Sequence, residues 1–252
     1  MSRQEYEEWY DANAWYPSRE GELVLESGLT QAAWIEPLLV AGSFQVRMTV
    51  PQGFDAYARI FFPFAGHDLV KDGQIVGQEH ITWTEMAQRN GRIAHALMEA
   101  ETIQATVDER ASCHDELAPE QFEALLPILT RHTSSSHGWF LLWEGFGDLH
   151  EQAFRSLPKV RHPMRNYYLL SGPHSAYQDF PHDPNYWWPD DRAWCVCTDT
   201  DFDWAYIAGS AACIEEVLSV AVLDAYKTNP ESPAVAGMDV INDPHQAIQR
   251  PI

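Results

Sequence analysis

The stretch "NYWWPDDRAWCVCTDTDFDWAYIAGS", residues 185–210, decides how this chain is read. Apolar side chains fall on the even positions Trp194, Val196, Phe202, Trp204 and Tyr206, and Asp199, Asp201 and Asp203 take odd ones. Successive side chains of a strand point to opposite faces, so a period of two predicts strand, acidic turn and strand, with one face for a core and one for water. Trp194, Val196 and Tyr206 are then expected to be buried on a common face, with the aspartates at an exposed turn. Ser210 closes the pattern with a hydroxyl that can accept from an orphan amide of a helix start. Ile214, Val217, Leu218, Ala221, Val222 and Ala225 form the apolar stripe of that helix.

Alternate aspartates also suggest a calcium loop. An EF-hand needs Gly at its sixth place and a bidentate Glu at its twelfth, and Trp204 and Ser210 stand there instead. No Cys-x2-Cys pair and no H-E-x-x-H helix occurs, so no metal and no cofactor is expected. Cys195 and Cys197 project to one side of a strand and, with Cys113 and Cys213, read as reduced, mostly buried thiols. The pairs His67-Asp68, His114-Asp115 and His182-Asp183 each put a base beside a carboxylate, but neighbours on a strand face apart, so none is a dyad by itself. Nucleophile-elbow, P-loop and dinucleotide fingerprints are missing.

Elsewhere the turn chemistry of "PQGFD" between "FQVRMTV" (44–50) and "AYARIFFPF" (56–64) predicts a hairpin, and "HDLVKDGQIVGQEHI" a loop around Lys71-Asp72-Gly73. Residues 2–12 read as a short helix. Thr82 and Glu85 make a capping pair for a helix that bends or breaks near Asn90-Gly91. Pro119 opens another helix with Phe122, Leu125, Leu126 and Leu129 on its apolar side, kinked or stopped at Pro127. "WFLLWEG" (139–145) and "NYYLLSG" (166–172) read as buried strands. The fold class expected is α+β, a single domain over residues 1–228 with an antiparallel sheet of five or six strands and packed helices, followed by a loosely packed tail over 229–252.

A chain of 252 residues with 45% hydrophobic content can bury a large core without disulfides. Its start is acidic and lacks an apolar run, so a cytoplasmic protein is expected. Sixteen Lys plus Arg against 37 Asp plus Glu give a net charge of −21, which repels nucleic-acid phosphates and anionic lipid. The run "FRSLPKVRHPMR", with Arg155, Lys159, Arg161 and Arg165, reads as a solvated loop balancing acidic neighbours rather than an anion site.

For binding, Tyr186, Trp187, Trp188, Asp190, Asp191 and Arg192 combine the residue types that dominate interface hot spots. The competing reading is a plug at one end of the core, with Arg192 locked to Asp190 or Asp191.

Three segments, "HTSSSHGWFLLWEGFGDL", "NYYLLSGP" and the opening stretch, resemble a family of uncharacterised actinobacterial proteins. The matching residues are Trp139, Trp143, Glu144 and Gly145, then Tyr168, Leu169, Leu170, Gly172 and Pro173, then Trp187 to Cys195. The resemblance covers residues 36 to 225 and implies no activity. Two functions follow as expectations. The first is a non-enzymatic binding module, of immunity or antitoxin type, for a basic protein. The second is a hydrolase-type enzyme whose site is assembled from scattered His and Asp residues.

Overall fold

A computed structural model of the chain describes residues 14–17, 22–71, 73–104 and 111–242. The expected helix over 2–12 and residues 243–252 of the expected tail lie outside them, as does Asp72. In chain order the elements are β1 (Val24–Leu25), β2 (Ala56–Phe61), β3 (Phe64–Lys71), β4 (Gln74–Ile81), α1 (Trp83–Arg89), α2 (Ala100–Ile103), α3 (Pro119–Arg131) and β5 (His137–Trp143). They continue with α4 (Glu151–Phe154), β6 (Val160–Arg161), β7 (Asn166–Pro173), β8 (Tyr186–Pro189), β9 (Trp194–Thr198), β10 (Trp204–Gly209), α5 (Ala211–Ser219) and β11 (Ala225–Thr228).

The fold is α+β around one large antiparallel sheet, ordered β1-β7-β5-β8-β9-β10-β2-β11 with β6 on β7, and β3 and β4 form a separate two-stranded ribbon. The main sheet has nine strands rather than five or six. The surplus comes from places where pattern is weakest. Two strands, β1 and β6, are two residues long. Another, β8, sits inside the Trp-Trp-Pro stretch, and β11 begins at Ala225, where the helical stripe was expected to continue. Helix α5 instead stops at Ser219, and Asp224 turns the chain through a left-handed conformation, φ 44°, into β11.

Residues 44–50 are not a strand. Phe44 has φ 54° and Val46–Met48 form a 3-10 turn. Its amides are satisfied by the later chain: Val46 N donates to Ser232 O at 2.9 Å and Arg47 N to Pro230 O at 3.0 Å. Strand β2 pairs instead with β10 and β11. The segment expected as a loop at 67–81 is paired along most of its length as β3 and β4, because Gly73, with φ 78°, makes a tight turn.

The caps behave as read. Thr82 Oγ1 accepts from Glu85 N at 3.1 Å and Ser210 Oγ from Cys213 N at 3.2 Å. Helix α3 continues past Pro127 to Arg131, burying Phe122, Leu125, Ile128 and Leu129.

The strands of the opening stretch are buried on both faces, which corrects the division into core and water. Every residue of β9 is buried. Trp194 and Val196 face a core covered by α3 and α5, with Trp187, Ile207 and Leu170. Tyr206 is directly opposite Cys197, so it faces the other side, among Cys195, Cys197, Tyr186 and Trp188. Ala32, Ile35, Val46 and Val50 cover that second face. Strands buried on both sides lose the apolar-polar alternation, and the acidic turn resets the parity between β9 and β10.

Over 229–242 the expected loose tail is tied down. Asp239 is fully buried, and its carboxylate accepts from Thr102 Oγ1, Asn242 N at 2.9 Å and Asn242 Nδ2 at 2.9 Å, with His95 Nε2 at 2.8 Å. No helix among the described residues is long and apolar enough to cross a membrane.

Candidate functional site

A cleft of about 220 Å³ opens where β5 ends at Trp143 and β9 ends at Thr198. Two loops complete it, one carrying Asp115 and Glu116 ahead of α3, the other carrying His182 and Asp183 ahead of β8. Asn185, 1% exposed, sets its floor: its Oδ1 accepts from Trp143 N at 2.9 Å and its carbonyl from Thr198 N at 2.9 Å. Phe146 forms one wall, with the His182 ring stacked on it at 4.3 Å between centroids.

Carboxylates dominate the lining. His182 lies between two carboxylates, Nδ1 3.3 Å from Glu116 of the lining and Nε2 3.0 Å from Asp148 behind it. Asp183 accepts from Leu117 N at 2.8 Å. Burial pushes the Asp183 carboxyl up to about 7; the Leu117 amide and the Tyr177 hydroxyl oppose that rise, and Glu116 and Asp115 add to it. Glu116 is also raised, first by burial and then by Asp115. Like charges crowded in a low-dielectric site favour protonation of one of them.

The nearest fixed cation is already engaged. Arg165 pairs with buried Asp199 at 3.0 Å, reaches Asp201 at 2.5 Å and lies over the Trp143 ring at 4.5 Å. Asp199 is therefore not at an exposed turn as expected; it is 8% exposed, and its Oδ1 also accepts from Asp201 N at 3.0 Å. Replacing Arg165 with Met leaves that buried carboxylate without its counter-ion and is expected to cost about 2–3 kcal/mol, checked by urea unfolding at neutral pH.

Two further basic residues of that run are also occupied at short range. Lys159 pairs with Glu144, and Arg155 with Glu151 at 2.7 Å. The cleft thus presents Asp115, Glu116 and Asp183 against a single histidine, His182, whose Nε2 is held by Asp148, between aromatic walls. That arrangement suits an organic cation, which gains from carboxylates and from ring faces together.

Two of the larger hollows are less suited. In one, of about 490 Å³, the Asp224 carboxylate is saturated by Trp83 N at 2.7 Å, Thr84 N at 3.2 Å and the Thr84 hydroxyl, at the start of α1. In the other, of about 430 Å³, Thr133 to Ser136 surround His174. Both ring nitrogens of His174 are taken, Nδ1 accepting from Trp187 Nε1 at 3.2 Å and Nε2 donating to Ser135 O at 3.0 Å. It cannot serve as base for those hydroxyls in this arrangement.

The sequence-predicted binding residues divide. Tyr186, Trp187 and Trp188 are 1%, 0% and 1% exposed, so their side chains are core and present no surface anchor. Asp190, Asp191 and Arg192 are exposed at the turn after β8. The aspartates do not hold Arg192. Asp190 accepts from Trp139 Nε1 at 2.5 Å, Asp191 from Thr133 Oγ1 and Ser134 N at 2.8 Å each, and Arg192 lies over Trp34 at 5.4 Å.

Of the three His-Asp pairs, two send their acids, Asp115 and Asp183, to the cleft, and His182 engages Asp148 and Glu116 rather than its own neighbour. Their convergence depends on β5 and β9 ending where β8 begins, a tertiary fact with no local signature. Among the described residues no cluster of three or more His, Cys, Asp or Glu side chains is arranged to hold a metal ion. Comparison with protein families, with curated proteins and with solved structures found no match.

Proposed function

We propose that the protein is a non-enzymatic binding module of immunity or antitoxin type, and that its acidic cleft receives an Arg or Lys side chain of a basic protein. The observation that carries this reading is the cleft itself: carboxylates from two distant loops between Trp143 and Phe146, with Arg165 held by Asp199 and Asp201. A net charge of −21 supports it at long range by drawing cationic surfaces toward the chain. Charge sets the association rate, and the aromatic walls set the lifetime.

An octa-arginine peptide serves as the probe, with binding followed by fluorescence anisotropy. Raising salt from about 0.05 to 0.5 M is expected to weaken binding by about an order of magnitude or more, because the Debye length shrinks. The double variant Asp115→Asn/Glu116→Gln is expected to lose about tenfold at low salt. Binding indifferent to both changes would remove the reading. A hydrolase is favoured by one observation, a carboxyl at Asp183 poised near neutrality beside His182 and Glu116. Turnover of an ester or glycoside probe that is abolished by Asp183→Asn would select it instead.

A further inference from the structure

We propose a second site of opposite character, independent of the acidic cleft: Arg59, Trp204 and Tyr206 bind a carboxylate through the free edge of the Arg59 guanidinium.

Arg59 occupies β2, directly opposite Tyr206 of β10 on one side and Tyr226 of β11 on the other. It is 4% exposed, and Nη1 donates to Ala96 O at 2.8 Å. Among the described residues Nε and Nη2 have no acceptor. Those two groups form one edge of the guanidinium and point parallel N–H bonds the same way, at the spacing of the two oxygens of a carboxylate. The plane is fixed, with the guanidinium carbon 3.5 Å from the Trp204 ring centroid and 4.4 Å from that of Phe61. Trp204 Nε1 and the Tyr206 hydroxyl are likewise buried, and among the described residues neither has a partner outside this pair. Every orphan in this cluster is therefore able to donate.

The groups that act on Arg59 against its burial, Tyr206 first and then Glu99 and Asp203, do so through space and leave its free edge unbonded. Burial lowers the Arg59 guanidinium to about 10, so it remains charged at neutral pH. A buried cation without a bonded counter-ion is costly to keep, and an anionic oxygen ligand would relieve that cost while satisfying the indole and phenol. Of these side chains only Trp204 is partly exposed, so its ring is what stands between the buried N–H groups and the surface, and a ligand reaches them by displacing it.

The test uses the full chain and three probes: acetate, a short peptide with a free C-terminal carboxylate, and the same peptide amidated. Trp204 is expected to report saturable binding of one carboxylate per chain, with chloride at equal ionic strength giving none. A free-carboxylate peptide that outcompetes acetate, with the amide silent, identifies a chain terminus as the source. Acetate binding without peptide binding identifies a small acid. Arg59→Lys, which lacks the paired donors, is expected to bind about tenfold to a hundredfold more weakly. If that variant fails to fold, Tyr206→Phe removes only a hydroxyl and is expected to weaken binding several-fold. No saturable carboxylate binding, or binding unchanged in these variants, overturns the proposal.

Discussion

Replacing Trp187 with Ala is expected to lower the unfolding free energy by about 3–5 kcal/mol, the range for deleting a fully buried aromatic side chain. The indole is completely buried on β8, with ring centroids of Tyr177 and Trp194 at 4.9 Å each and those of Phe122 and Phe140 at 6.1 Å each. Its N–H is the donor to His174 Nδ1, so truncation also leaves a buried acceptor unpaired. Urea unfolding reads the loss as a lower midpoint with little change in slope. A variant of near wild-type stability would contradict the placement of Trp187 in the core.

The second large effect is a pH-dependent gain. Asp183 has a folded value of about 7, against about 3.9 for an unfolded aspartate. The folded chain therefore holds an extra proton between those values, and stability falls as pH rises through that window. Each unit corresponds to about 1.4 kcal/mol, so the full window is worth about 2–4 kcal/mol once partial solvent access is allowed for. Asp183→Asn keeps an acceptor for Leu117 N and removes the buried charge. Its stability advantage over wild type is expected to be absent near pH 4, to open through about pH 7 and to level off near pH 8. Chemical denaturation across that range checks it, and an advantage independent of pH would assign the effect to something other than the carboxyl. A group held at such a cost is typical of a binding site, where a partner's cation recovers it.

Local chemistry made part of this molecule legible. Thr82 and Ser210 announced helix starts because caps depend on a few adjacent residues, and both accept the expected amides. "WFLLWEG" and "NYYLLSG" were readable because continuous apolar runs of that length, bounded by turns, mark buried strands. What failed was parity and partnership. Tyr206 faces away from Trp194 because the register of β10 on β9 is set by the turn between them. Val46 and Arg47 donate to carbonyls of Ser232 and Pro230, partners that no window of neighbouring residues contains. Tyr186, Trp187 and Trp188 were open to both a surface and a core reading because hot-spot composition and core composition coincide in Trp and Tyr, and their burial puts the side chains in the core. The cleft was half-visible, in the acids of two His-Asp pairs, and its assembly was not.

The most direct measurement of the central claim is calorimetric titration of the octa-arginine peptide at about pH 6.5, in two buffers of different ionisation enthalpy. A guanidinium seated against Asp183 lowers its pKa, so the account predicts that binding releases a proton, and that the release vanishes in Asp183→Asn while the fold persists. Binding with the same affinity and the same proton balance in wild type and Asp183→Asn would contradict it.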